Sequence, residues 1–163
     1  MNQSMTLQGD EFTIREATVA DLDTILHHRR SMFLDMGQRN EAALEAMMLT
    51  SKPFFAQRLA DGRYRAWFVE NSLHQVVSGG GVNIFDFPSS VTDPSPQRAL
   101  IVNMYTERPY RRKGIARKLM ETMIGWCHKQ GFGSVVLHAS EEGRPLYQKL
   151  GFQATNEMRL LLP

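Results

Sequence analysis

Tyr105-Thr106-Glu107-Arg108-Pro109-Tyr110-Arg111-Arg112-Lys113-Gly114-Ile115-Ala116-Arg117-Lys118-Leu119-Met120 runs from the end of an apolar strand, through a basic turn, into an amphipathic helix. The strand is expected over Ala99–Thr106 and, being strongly apolar, at the centre of a sheet. The helix is expected over Gly114–Lys129. Ile115, Leu119, Met123 and Trp126 share a face with Ala116, Met120, Ile124 and Cys127, and Arg117, Lys118, Glu121, Thr122, His128 and Lys129 fall opposite. Gly131 then stops the helix as a left-handed cap. A helix start carries unpaired N–H groups and a partial positive charge, so an anion placed there is stabilised twice. Gly114 lets an anion reach the backbone with no Cβ in the way, and Ala116 keeps the first turn slim. Arg111, Arg112 and Lys113 oppose the helix dipole, so three cations in a row at this place point to an anion that compensates them.

Other phosphate loops fit poorly. There is no Gly-x-x-x-x-Gly-Lys-Ser/Thr. Gly79-Gly80-Gly81 lies inside a strand-like run and is read as a bulge or a close strand approach, not a dinucleotide fingerprint.

Working outward, Phe12–Arg15 reads as a strand. Thr18 and Asp21 form a capping-box-like pair ahead of a helix carrying Leu22, Ile25, Leu26 and Phe33 and ending near Gly37. Glu41–Leu49 is a second helical stretch, and Pro53 is expected to start a separate short helix that ends before Asp61-Gly62. Arg65–Glu70 and Val76–Phe85 read as strands. Phe87–Gln97, with Pro88, Pro94 and Pro96, is a long hairpin loop. Beyond the amphipathic helix, Ser134–Ala139 reads as a buried strand, Pro145 opens a short helix ending at Gly151, and Gln153–Leu162 reads as a last strand. The order is that of an α/β (α+β) domain with a mixed sheet and helices on its faces. Residues 1–10 read as a loose leader, leaving 11–163 as one domain.

The 163 residues, 42% hydrophobic and 22% charged, suit one domain of ordinary size. With 19 basic and 17 acidic residues the net charge is +2, which does not argue for nucleic acid as the main partner. No apolar run approaches a membrane span, residues 1–10 lack the apolar stretch of a signal peptide, and a lone cysteine, Cys127, excludes an intrachain disulfide. A cytoplasmic address without a membrane partner is the expectation.

Arg111-x-x-Gly114-x-Ala116 resembles the Arg/Gln-x-x-Gly-x-Gly/Ala motif of the GNAT superfamily of acetyltransferases. Downstream, Val135-Val136-Leu137-His138-Ala139-Ser140 and Arg144-Pro145-Leu146-Tyr147-Gln148-Lys149-Leu150-Gly151-Phe152 resemble that family's next strand, short helix and Tyr-x-x-Leu-Gly-Phe ending. The resemblance spans nearly the whole chain. It implies a mostly antiparallel central sheet with one splayed strand pair, helices on both faces, and acetyl-CoA as co-substrate with no metal. By the same resemblance Met104, Tyr105 and Thr106 supply main-chain contacts to the pantetheine arm. Arg111, Arg112, Lys113, Gly114, Ile115 and Ala116 wrap the pyrophosphate, mostly through amides. Ser140 either bonds the arm or acceptor or simply forms a turn.

Tyr147 matches the family's usual general acid, which gives the leaving thiolate a proton after direct attack by a neutral amine. Glu70, Asp86, His138 and Glu141 are candidate bases, and none is singled out. The acceptor, a small-molecule or peptide amine, is expected against the first two helices. There Arg29 or Arg30 would suit an acceptor carboxylate and Asp35 a cationic amine, with Asp86 and His138 as further candidates. The family also often pairs as homodimers. The competing reading is a catalytically silent acyl-CoA-binding or sensing module on the same fold.

Overall fold

The computed structural model describes residues 2–91 and 93–161. Its strands are β1 (Gln3–Leu7), β2 (Asp10–Glu16), β3 (Tyr64–Asn71), β4 (Val76–Asp86), β5 (Gln97–Thr106) and β6 (Val135–Leu137). Its helices are α1 (Leu22–Asp35), α2 (Glu41–Ala60), α3 (Ile115–Lys129) and α4 (Arg144–Lys149). The six strands form one sheet in chain order. Every neighbouring pair is antiparallel except β5 and β6, which run parallel with α3 between them in sequence. The mixed, mostly antiparallel sheet and its helices agree with the expected fold class.

Side-chain alternation gives the sheet two apolar faces. Ala66 and Phe68 of β3 pack with Ile25 and Leu26 of α1 and Phe55 of α2. Trp67 and Val69, pointing the other way, join Ile115, Leu119, Met120, Met123 and Cys127 of α3. All five of these α3 residues are buried, as its periodicity predicts, and Gly131 beyond it has a left-handed φ of 81°. Burying each such side chain is worth about 1.5–3 kcal/mol, so this stripe anchors α3 firmly. Among the described residues no helix is long and apolar enough to cross a membrane.

Four local expectations change. The leader is not loose: Gln3–Leu7 pairs with β2 as a hairpin edge. Gln8 and Gly9, both at positive φ, form a two-residue turn of the sort that joins tight hairpins, and Met5 and Leu7 pack on the α3-side core. The break expected at Pro53 is absent, and Glu41–Ala60 is one helix with the proline inside. Leu44, Ser51 and Phe55 are its buried residues, spaced as one stripe across the proline, and the Phe55 ring packs tilted against that of Tyr64 with centroids 4.7 Å apart. The strand expected over Ser134–Ala139 shrinks to Val135–Leu137 and is half-buried, with Val136 39% exposed. Residues 153–161 form no strand, and Leu162 lies outside the described residues. Met158, Leu160 and Leu161 stay exposed.

Candidate active site

The site is built where β5 loses its neighbour. β6 pairs with Ala99, Leu100 and Ile101 and ends at Leu137, so among the described residues β5 from Val102 to Thr106 has no strand partner on that side. On its other side β5 carries one extra residue. Gly79 faces Tyr105 and Gly81 faces Val102, which leaves Asn103 and Met104 against Gly80. This is a β-bulge, with Asn103 at a left-handed φ of 59°. The three glycines opposite are required by close approach. A Cβ at Gly79, Gly80 or Gly81 would strike His28, Met104 or Tyr64 respectively. The Asn103 carboxamide is engaged at both ends: Oδ1 accepts from Arg29 Nη1 at 2.9 Å, and Nδ2 donates to the Tyr64 hydroxyl at 3.0 Å.

From Thr106 the chain makes a single 3₁₀ turn over Arg108–Tyr110 and enters the basic loop. Arg111 is extended, Arg112 is left-handed at φ 65°, and Gly114 is left-handed at φ 86° as the N-cap of α3. The amides from Arg112 to Arg117 have no acceptor among the described residues; the ladder resumes where Lys118 donates to the Gly114 carbonyl at 3.2 Å. A row of free N–H groups at a helix start, beside an unpaired strand edge, fits a diphosphate and an extended amide-bearing arm. Within the protein a Cβ on Gly114 would touch only Leu7, at 4.0 Å, so it is the left-handed backbone that the fold itself demands of glycine there.

The three cations of the loop differ. The Arg111 guanidinium donates to the Thr106 carbonyl at 2.9 Å and to Asp35, lying against the Tyr105 ring. Arg108 reaches the same carboxylate at 2.7 Å. Hydrogen bonds from Arg108, outweighing burial, and then from Arg111 hold the Asp35 carboxyl below its usual range. Asp35 therefore fastens the end of α1 to the loop. Lys113 pairs with Asp10 at 2.6 Å. Arg112 alone is exposed with no side-chain partner among the described residues.

Tyr147, on α4, shares the α3-side core with Met104 and lies 6.1 Å from the Phe152 ring, centroid to centroid. Burial raises its phenol above the ordinary tyrosine value, so it is protonated through neutral pH. Ser140 accepts from the Gly143 amide at 3.1 Å, a turn-forming contact at the start of α4.

The remaining predicted residues scatter. Arg30 pairs with Glu41, His138 with Glu157, Glu141 with Arg144 and Glu70 with Arg15. Asp86 does not belong to the site. It sits opposite Gln97 at the far end of β5, roughly 30 Å of strand from Thr106. Asn103 and Glu107 were not anticipated. Glu107 takes the Tyr105 hydroxyl at 3.3 Å and faces His27 at 3.2 Å. A lone Asn in an apolar strand opposite a glycine run was the available signal for the bulge, because Asn tolerates a left-handed φ.

The sequence profile of the acetyltransferase (GNAT) family matches residues 23–152. This chain belongs to the GNAT acetyltransferase family. The GNAT fold here superposes on the crystal structure of a GCN5-related N-acetyltransferase from Ralstonia eutropha JMP134 with a TM-score of 0.87 and 31% identity, covering 93% of this chain and 98% of that one. A structure described as a "predicted acetyltransferase with acetyl-CoA" from Clostridium acetobutylicum gives 0.84 and 26%, covering 93% and 96%. Human N-acetyltransferase 8 is 29% identical over 72 residues, 41% of this GNAT chain, and the match spans about a third of that relative, 32%. Membership implies acetyl transfer from acetyl-CoA.

Proposed function

We propose that this GNAT protein transfers the acetyl group of acetyl-CoA to a primary amine by direct attack within a ternary complex. The observation that carries the reading is the unpaired edge of β5 followed, after one 3₁₀ turn, by the free amides of Arg112–Arg117. An arm bearing amides extends along Val102–Thr106 as a strand would, and the diphosphate docks on the loop amides, with Arg112 adding its charge. Tyr147 holds its proton at neutral pH and gives it to the departing sulfur. The bulge at Asn103 turns the end of β5 toward α1, where the acceptor amine enters. A cytoplasmic address belongs to the same reading; its support is one buried, unpaired thiol, Cys127.

A panel of amines and short peptides with acetyl-CoA, read by free thiol release, tests the reading. Thiol release that depends on an amine is expected. Tight coenzyme A binding with no release for any amine would make the chain a binding module. Failure to bind coenzyme A at all would remove the loop from the account.

A further inference from the structure

Arg29 lies on the face of α1 turned toward the β5 bulge, and its surroundings are unusual for a cation. Its Nε donates to Ser51 at 3.0 Å and its Nη1 to Asn103 at 2.9 Å, both neutral oxygens. Its guanidinium carbon lies 5.1 Å from the Phe33 ring centre and 5.5 Å from that of Phe55. Among the described residues no carboxylate comes within ion-pair distance of it, whereas Arg30, Arg108 and Arg111 around it each have one. Burial outweighs every favourable contact and lowers its pKa, so the charge is held at a cost. Among the described residues Nη2 has no acceptor, and it is not one of the fully buried unpartnered atoms, so it keeps contact with solvent.

We propose that Arg29 receives a carboxylate on the amine acceptor, making amino acids or molecules with a similar amine and carboxylate the substrate class. This rests on the acetyl-transfer reading and narrows it. The guanidinium is pinned on one side by Ser51 and Asn103 and cradled by two rings, so its free N–H groups are preorganised. Nη2 keeps both of its N–H donors for an anionic oxygen, and a charge-assisted bond to a carboxylate is stronger than one to a neutral acceptor. Because Asn103 is the bulge residue, an acceptor held here lies beside Met104–Thr106, the segment assigned to the thioester arm. Asp35 is the competing acceptor group, and it is consumed by Arg108 and Arg111.

The test compares wild type, Arg29→Met and Arg29→Lys with acetyl-CoA and pairs of α- and ω-amino acids against their carboxamides. Thiol release gives KM, and coenzyme A affinity is titrated separately. Wild type should favour the acids in KM by about tenfold or more, the usual scale of one charge-assisted contact. Arg29→Met should bring the acid-to-amide ratio close to one, and Arg29→Lys should fall between. Comparing ratios cancels the difference in amine basicity within each pair. Equal use of acids and amides by wild type, or an unchanged ratio in Arg29→Met, overturns the proposal. So does coenzyme A binding with turnover of neutral amines only, whereas coenzyme A binding with turnover of no amine at all brings down the acetyl-transfer reading on which the proposal rests. Loss of coenzyme A binding in wild type would instead bring down the acetyl-transfer reading itself.

Discussion

At Gly114 the backbone occupies a region that L side chains rarely adopt, and the amides on either side of it are the ones left free. A β-branched residue there opposes the left-handed φ by more than the 1–2 kcal/mol typical of any side chain. Gly114→Val is therefore expected to rotate the loop and weaken coenzyme A binding by about 100-fold or more, measured by calorimetric titration. Affinity within twofold of wild type would show that these amides do not hold the cofactor. The glycine and its motif were legible in the sequence, but the reason was not. Sequence alone suggested a clash between a side chain and the phosphates; the structure adds a second reason, the left-handed φ, since the protein's own atoms leave space there. Arg111 was also ambiguous, since its tie to Asp35 spans 76 positions that no local pattern connects. Tyr147 makes a second residue-scale prediction. Tyr147→Phe should lower kcat by about 100-fold and remove the alkaline fall in rate that begins above the ordinary tyrosine pKa. An intact rate, with the same alkaline limb, would leave Tyr147 a packing residue beside Phe152.

α2 shows how packing overrides a local stop. Pro53 has no N–H to offer the Leu49 carbonyl, and a proline inside a helix costs up to about 3 kcal/mol. The helix continues because Phe55 must meet Tyr64 while Leu44 keeps its place on the same stripe. Pro53 itself is exposed, so Pro53→Ala restores the bond without opening a cavity. An increase in stability of about 1–2 kcal/mol is expected from urea unfolding, less than the full penalty because alanine also frees the unfolded chain. No change would mean that the interruption is already accommodated. The same competition explains what else escaped the sequence. Met5 and Leu7 alternate toward the core, but the pattern is too short to stand out without the hairpin partner Phe12–Ile14. Met158 and Leu160 alternate equally well, yet belong to no strand and remain exposed. Long periodic elements such as α3 carry their answer within themselves; short edges take theirs from a neighbour.

The whole molecule is a sheet with two differently filled faces. The α3 side is almost wholly apolar, and the α1–α2 side buries polar groups around the bulge: Asn103, Tyr64, Ser51 and His28. That asymmetry sets a polar seam against the bulge while the opposite layer anchors α3 through its buried stripe. It also has a consequence for pH. His28 is 2% exposed, wedged between Phe68, Tyr105 and Gly79, with Nδ1 unpartnered. Burial first, and then the neighbouring His27, lower its pKa to about 4, against a small opposing pull from Glu107. The unfolded chain takes up a proton near pH 6.5, and the native imidazole refuses it until about 4. Stability is therefore complete above pH 6.5, declines as pH falls through that value, and stops declining from this cause below about 4. Over that window the loss is on the order of 3 kcal/mol. Urea unfolding between pH 7 and 4 should show the decline in wild type and a markedly flatter profile in His28→Leu, whose apolar side chain has no proton to accept. If the two profiles run parallel, His28 takes its proton inside the fold and the seam is wetter than its packing indicates.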